Sequence, residues 1–169
     1  MRSLKIFSLS IIIALIVTTR SNAQDAALSK PINAVIDNYI ALKNALAAGD
    51  ASLAKSDAKT LLSAINSVPV KSMNKSQLAM WTNYSAKLQF DSRHISEVDM
   101  LHHQREHFAS LSNNLYTVLK DLKLNKAPLY HQYCEMKQQY FISETEKGKD
   151  PYMGMSNCSK VKETLPAVK

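Results

Sequence analysis

Residues 29–69 read SKPINAVIDNYIALKNALAAGDASLAKSDAKTLLSAINSVP, and the spacing of their apolar side chains decides the fold class. Ile32, Val35, Ile36, Tyr39, Leu42 and Leu46 recur at intervals of three and four, which lays them along one helical face. Pro31 falls in the first turn of a helix that starts from Ser29, where the N–H that proline lacks has no intrahelical partner anyway. Gly49 offers a stop and Asp50 a cap for a second helix, whose face is Ala54, Ala58, Leu61, Leu62 and Ile65, ended by Pro69. Two helices joined by so short a link lie antiparallel.

The same period continues downstream. Ser76 can cap a third helix carrying Leu78, Trp81, Ser85, Leu88 and Ile95, and a fourth carries Leu101, Phe108, Leu111, Leu115, Val118 and Leu122. A break near Ser96 is expected, where Ser96 and Asp99 have the spacing of a capping box. With three Gly and five Pro in 169 residues, the expectation is an all-α fold, an antiparallel four-helix bundle. Beyond Leu124 the texture changes. Asn125 to Pro128 break the helix, and residues 129–169 read as an irregular Cys- and Met-containing tail packed back on the bundle, with a short helix over 138–147.

At the other end, Arg2 and Lys5 precede an apolar run from Ile6 to Val17, and Ser21-Asn22-Ala23 supplies the small residues a signal peptidase reads. Residues 1–23 are therefore expected to be a signal peptide cleaved before Gln24, since the run is shorter than the about 20 residues of a membrane span. Residues 24–169 form one domain, periplasmic or secreted, with no stable membrane insertion after cleavage. Losing Arg2, Lys5 and Arg20 lowers the net charge from +7 to +4, and the remaining Lys are scattered among Asp and Glu. That is a solvated surface and not the basic stripe of a nucleic-acid binder.

Cys134 and Cys158 are the only cysteines. In an oxidising compartment such a pair commonly closes a disulfide, here over a separation of 24 residues and worth about 3 kcal/mol in the chain-entropy model. The competing reading makes them thiolate ligands. Tyr130-His-Gln-Tyr-Cys-Glu-Met136 gathers an imidazole, a thiol and a thioether, and only an extended backbone points Cys134 and Met136 the same way. All five histidines lie between His94 and His131; His103 and His107 are four apart on one helical face, and His94 can approach them across the hairpin. The tail adds Met153, Met155 and Cys158 among Gly, Ser and Asn. Sulfur and imidazole together suit Cu(I), while a site dominated by imidazole suits Zn(II).

The order His94, then His103-Gln104-Arg105-Glu106-His107-Phe108, then Tyr133-Cys134-Glu135-Met136, then Asp150-Pro151-Tyr152-Met153-Gly154 with Met155 and Cys158 resembles the DUF3347 family of exported bacterial domains. The family commonly has Cys-Pro-Met where this chain has Cys134-Glu135-Met136, and Cys-Gly where it has Cys158-Ser159. Its members stand alone or are appended to periplasmic adaptors of heavy-metal efflux systems. The resemblance implies copper handling, with His94, His103, His107, Cys134, Met136, Met155 and Cys158 as the metal set, and an efflux adaptor or other periplasmic protein as partner.

Three functions follow as expectations. The first is a periplasmic domain that sequesters copper, as Cu(I), or hands it to an efflux system, with zinc as the alternative ion. The second is a helical interaction module stapled by a Cys134–Cys158 disulfide and holding no metal. Catalysis ranks third: the chain has no glycine-rich phosphate loop, no His-Glu-x-x-His and no Gly-x-Ser-x-Gly, so no catalytic residue is assigned.

Overall fold

A computed structural model of the chain describes residues 2–168, with side chains described from Asp25 onward. The signal-peptide expectation for residues 1–23 falls where no side chains are described. Four helices come first: α1 (Arg2–Ala48), α2 (Ala51–Asn66), α3 (Lys75–Glu97) and α4 (Leu101–Leu122), with a 3₁₀ turn at Val70–Ser72. Three strands follow, β1 (Leu129–Cys134), β2 (Gln139–Ser143) and β3 (Ser159–Leu165). They form one antiparallel sheet in the order β2-β1-β3. Among the described residues no helix is long and apolar enough to cross a membrane.

The helical hairpin of residues 29–69 forms as its sequence dictates. Gly49 turns the chain at φ +76°, and the Asp50 carboxylate accepts a 2.8 Å hydrogen bond from the Leu53 amide. Two boundaries differ from expectation. Pro31 lies inside α1 because that helix begins well before Ser29. The cap of α3 is Asn74, in a reciprocal box with Gln77, and not Ser76. The Ser96–Asp99 box does not form: Ser96 donates to the Arg93 carbonyl, Asp99 pairs with Lys55 at 2.7 Å, and α4 opens at Met100 without a side-chain cap.

The larger correction is the tail, which makes the fold a helical bundle with a small sheet rather than purely all-α. Residues 139–143 are a strand where a helix over 138–147 is expected. A tight turn after Cys134 with Gln138 at φ 54° reverses the chain, and Gln139-Tyr-Phe-Ile-Ser143 then pairs with β1 so that Phe141 and Ile142 are buried. The sheet lies against α4 and is keyed to it by Tyr39 of α1. That ring stacks on Phe108 at 5.1 Å, and its hydroxyl shares a 2.7 Å hydrogen bond with Ser112 and accepts the Ile142 amide at 3.0 Å. Burial pushes the phenol pKa up, so it stays a neutral donor. Nearby, buried Lys43 meets Glu144 at 2.7 Å, and Asn33 binds both the Leu124 carbonyl and the Lys126 amide, fastening the α4–β1 link to α1.

The loop between β2 and β3 is fastened at Gly154. It has φ +69°, and a Cβ there would lie 2.7 Å from the Ala47 carbonyl oxygen at the end of α1. Gly49, also at positive φ, has only the flexible Leu101 side chain at 3.9 Å. Gly154→Ala is expected to destabilise the protein by about 2–3 kcal/mol and Gly49→Ala by about 1 kcal/mol. Denaturant titration of the two variants should preserve that order; equal losses would mean the loop's approach to α1 contributes nothing.

Candidate metal centre

The sequence His103-Gln-Arg-Glu-His-Phe108 sits in the first turns of α4, and its residues divide by helical angle. Phe108 faces the core. Fully buried Gln104 donates to the Ala51 and Val98 carbonyls at 3.0 and 2.8 Å, holding α4 to the start of α2 and the end of α3. Arg105 donates to the Leu46 carbonyl at 2.8 Å and the Pro151 carbonyl at 2.7 Å, joining the end of α1 to the β2–β3 loop. Burial lowers the Arg105 pKa, and the Asp150 carboxylate opposes that shift. The middle of the motif is therefore structural, and its two histidines are left partly exposed.

Those histidines meet His94 of α3. The His107 ring centroid is 4.7 Å from that of His94 and 4.9 Å from that of His103, and half-exposed Phe90 packs on His94 at 4.2 Å. Each Nδ1 faces an oxygen that can only accept. His107 meets the buried Asp91 carboxylate at 3.1 Å, His103 meets Glu106 at 3.2 Å, and His94 meets the Phe90 carbonyl at 3.3 Å. Nδ1 is therefore the donor in each of these pairings, and in the neutral ring that leaves Nε2 as the nitrogen with a lone pair to offer. Carboxylates behind imidazoles are the outer support that metal-ligating histidines use.

The sulfurs are elsewhere. Cys134 and Cys158 are joined in a disulfide with a Cα–Cα distance of 5.3 Å, which removes both thiolates from the expected metal set in this state. The reason is the register of the sheet: Cys134 ends β1 directly opposite Ser159, so the next residue back, Cys158, comes within bonding reach. Met136 in the β1–β2 turn is 63 % exposed and Met155 45 %, and neither fills the core. The sheet meets α4 on a different flank from the histidines. Lys137, Gln139 and Tyr152 line one groove with His102, Arg105, Glu106 and Ala109, and on a helix that flank is centred roughly 130° around from His103 and His107, the two adjoining at Glu106. The seven expected ligands thus fall into an imidazole trio on the α3–α4 face, a bridged cysteine pair and two exposed thioethers.

Asp150 is the site residue that the sequence reading missed. It is fully buried, and among the described residues it completes the one group of three metal-capable side chains, with Cys134 and Cys158, whose donor atoms all lie within 4.8 Å. The three imidazoles stand further apart than that. Its Oδ1 accepts from the Tyr152 and Met153 amides at 2.9 and 2.8 Å, and its Oδ2 from the Met155 amide at 3.2 Å. The signal available in the sequence was Asp150-Pro151, a turn-initiating pair in a loop that returns to Cys158.

His131 belongs to none of these groups. Its ring is stacked between Tyr116, at 3.6 Å, and Tyr140, at 4.7 Å, and its buried Nε2 has no hydrogen-bond partner. Glu163 beside it accepts from the Tyr116 hydroxyl and from Lys120.

A family model described as a protein of unknown function, DUF3347, matches residues 35–127, more than half of the chain. No curated protein and no solved structure matches the chain.

Burial lowers the His131 pKa from 6.5 to about 4, with Glu163 pulling it back up and Lys120 adding to the fall. The unfolded chain takes up this proton near pH 6.5 and the folded ring only near 4, so the stability held by the neutral ring is complete above 6.5 and drains away as pH falls toward 4. Urea unfolding measured from pH 7.5 to 5 should show this decline, and His131→Phe, which keeps the stack, should flatten it. An unchanged slope in the variant would assign the decline to other groups.

Proposed function

The chain belongs to the DUF3347 family, and from that premise we propose that it is an exported, periplasmic metal-binding domain that sequesters copper or passes it to a heavy-metal efflux system. The observation that carries the reading is the trio His94, His103 and His107, gathered across the α3–α4 hairpin with each Nδ1 directed at a carbonyl or carboxylate oxygen. With Nδ1 engaged, three Nε2 atoms are left to close on one ion by rotation of partly exposed rings. Three imidazoles without thiolate suit Cu(II) and Zn(II) better than Cu(I), and copper binds such a set more tightly than zinc. Asp91 holds His107 in the required tautomer, and Phe90 covers the apolar side of the cluster. The disulfide fits an oxidising compartment.

The same disulfide favours a second reading, a stapled helical module that contacts a periplasmic partner and holds no metal. Titration of the oxidised protein with Cu(II) against a competing chelator separates the two. Metal binding predicts one equivalent, weakened at least about tenfold by His107→Ala and by about 10–100-fold in Asp91→Asn, with His102→Ala unchanged as control. Zn(II) should occupy the same site less tightly. Equal copper affinity in the wild type and in a His94→Ala/His103→Ala/His107→Ala variant would leave the interaction module standing.

A further inference from the structure

The cluster of Cys134, Cys158 and Asp150 is unused by the imidazole site, and it has the composition of a site of its own. Two sulfurs and a carboxylate oxygen lie within 4.8 Å of one another, all three residues are buried, and the arrangement is held from three sides. The Glu135 amide donates to the Cys158 carbonyl at 3.2 Å, the Asp150 amide donates to the Met155 carbonyl at 3.0 Å, and Arg105 ties Pro151 to α1. The bridge can neither donate a hydrogen bond to this carboxylate nor balance its charge, and in the oxidised state three backbone amides and the nearby Arg105 do so instead. Asp150 Oδ2 accepts one amide and keeps lone-pair capacity.

We propose that this cluster is a second, redox-gated metal site, shut by the disulfide and opened by a dithiol reductant to take a thiophilic d10 ion, Cu(I) or Zn(II). The opening step balances as ordinary thiol–disulfide exchange. A thiolate of the reductant attacks Sγ of Cys158, the less buried of the two residues, forming a mixed disulfide and expelling Cys134 as thiolate. The reductant's second thiol then displaces Cys158. Two electrons and two protons pass to the pair, and the reductant leaves as its own disulfide. Metal binding displaces the thiol protons, giving two thiolates with the Asp150 carboxylate as third donor. Exposed Met136 and Met155 are near the pair in sequence and are further soft donors available to a thiophilic ion. The oxidised protein would hold metal at imidazole alone and the reduced protein at both places, so redox state would set capacity and ion preference. This extends the metal-binding reading without depending on the histidines, which are assayed separately in the oxidised protein.

The test compares the purified protein before and after a phosphine reductant, which opens the bridge and leaves no competing dithiol. Cu(I) is offered against a bathocuproine chelator and Zn(II) against a zinc indicator, with circular dichroism recorded throughout. The expected result is one added equivalent of Cu(I) or Zn(II) in the reduced folded protein, retained in His94→Ala/His103→Ala/His107→Ala and absent in Cys134→Ser/Cys158→Ser. Asp150→Asn, which keeps the turn's acceptor, should weaken Zn(II) about tenfold or more and Cu(I) less. Because the serine variant could fail to fold, alkylating both thiols of the reduced wild type provides a second block that must also abolish the added equivalent. No added metal on reduction, added metal that survives both blocks, or loss of the folded spectrum on reduction alone would each overturn the proposal.

Discussion

The hydroxyl of Tyr39 is the point where the two parts of this fold are made one. Its ring belongs to the bundle, stacked on Phe108, yet its oxygen exchanges hydrogen bonds with Ser112 of α4 and with the Ile142 amide of β2. Among the described residues it is the largest fully buried side chain. Phenylalanine there would keep the apolar contact and orphan a strand amide in the interior, a loss of about 1–3 kcal/mol. The packing of Phe141 and Ile142, and through them the register that sets Cys134 opposite Ser159, depends on that seat.

Much of the bundle was legible because its signals are local. Periodicity located the apolar faces of α1, α2 and α4, and Gly49-Asp50 marked the first hairpin, since positive φ and a side-chain cap are properties of single residues. The sheet was not legible for the opposite reason. β1 and β3 are paired across more than twenty residues of intervening chain, and Gln139 to Ser143 shows no alternation, with Phe141, Ile142 and Ser143 all buried in succession. A run of that kind reads as helix or strand until its partner is known. The edges of elements differed where cap partners went elsewhere: Asn74 with Gln77 capped α3 in place of Ser76, and the Ser96–Asp99 box was lost to Arg93 and Lys55.

The candidate site was legible by composition and not by arrangement. Helical spacing brought His103 and His107 together and the hairpin added His94. The sequence could not say on which flank of α4 the tail would land, and it lands with Tyr152 and Lys137 toward His102 and Arg105. Within the His-Gln-Arg-Glu-His-Phe run, the residues most distinctive as a motif do the least chemistry: Gln104 and Arg105 spend their donors on backbone carbonyls of four separate segments. Asp150 was not assigned to the site because Asp150-Pro151 marks only a turn, and the turn does not say that its carboxylate will be folded beside two sulfurs.

The position of β3 at the margin of the sheet has a consequence for how the molecule keeps its own company. Its outer backbone groups face no further strand, and such a margin invites another chain to add itself. Lys160, Lys162 and Glu163 stand along it, Lys160 engaged with Glu135 and Glu163 with Lys120, and Pro166 follows directly. Any strand docking there would have to strip water from these charges and break their pairings. Where the protein meets other copies of itself, that row of ions discourages a fourth strand from adding at β3.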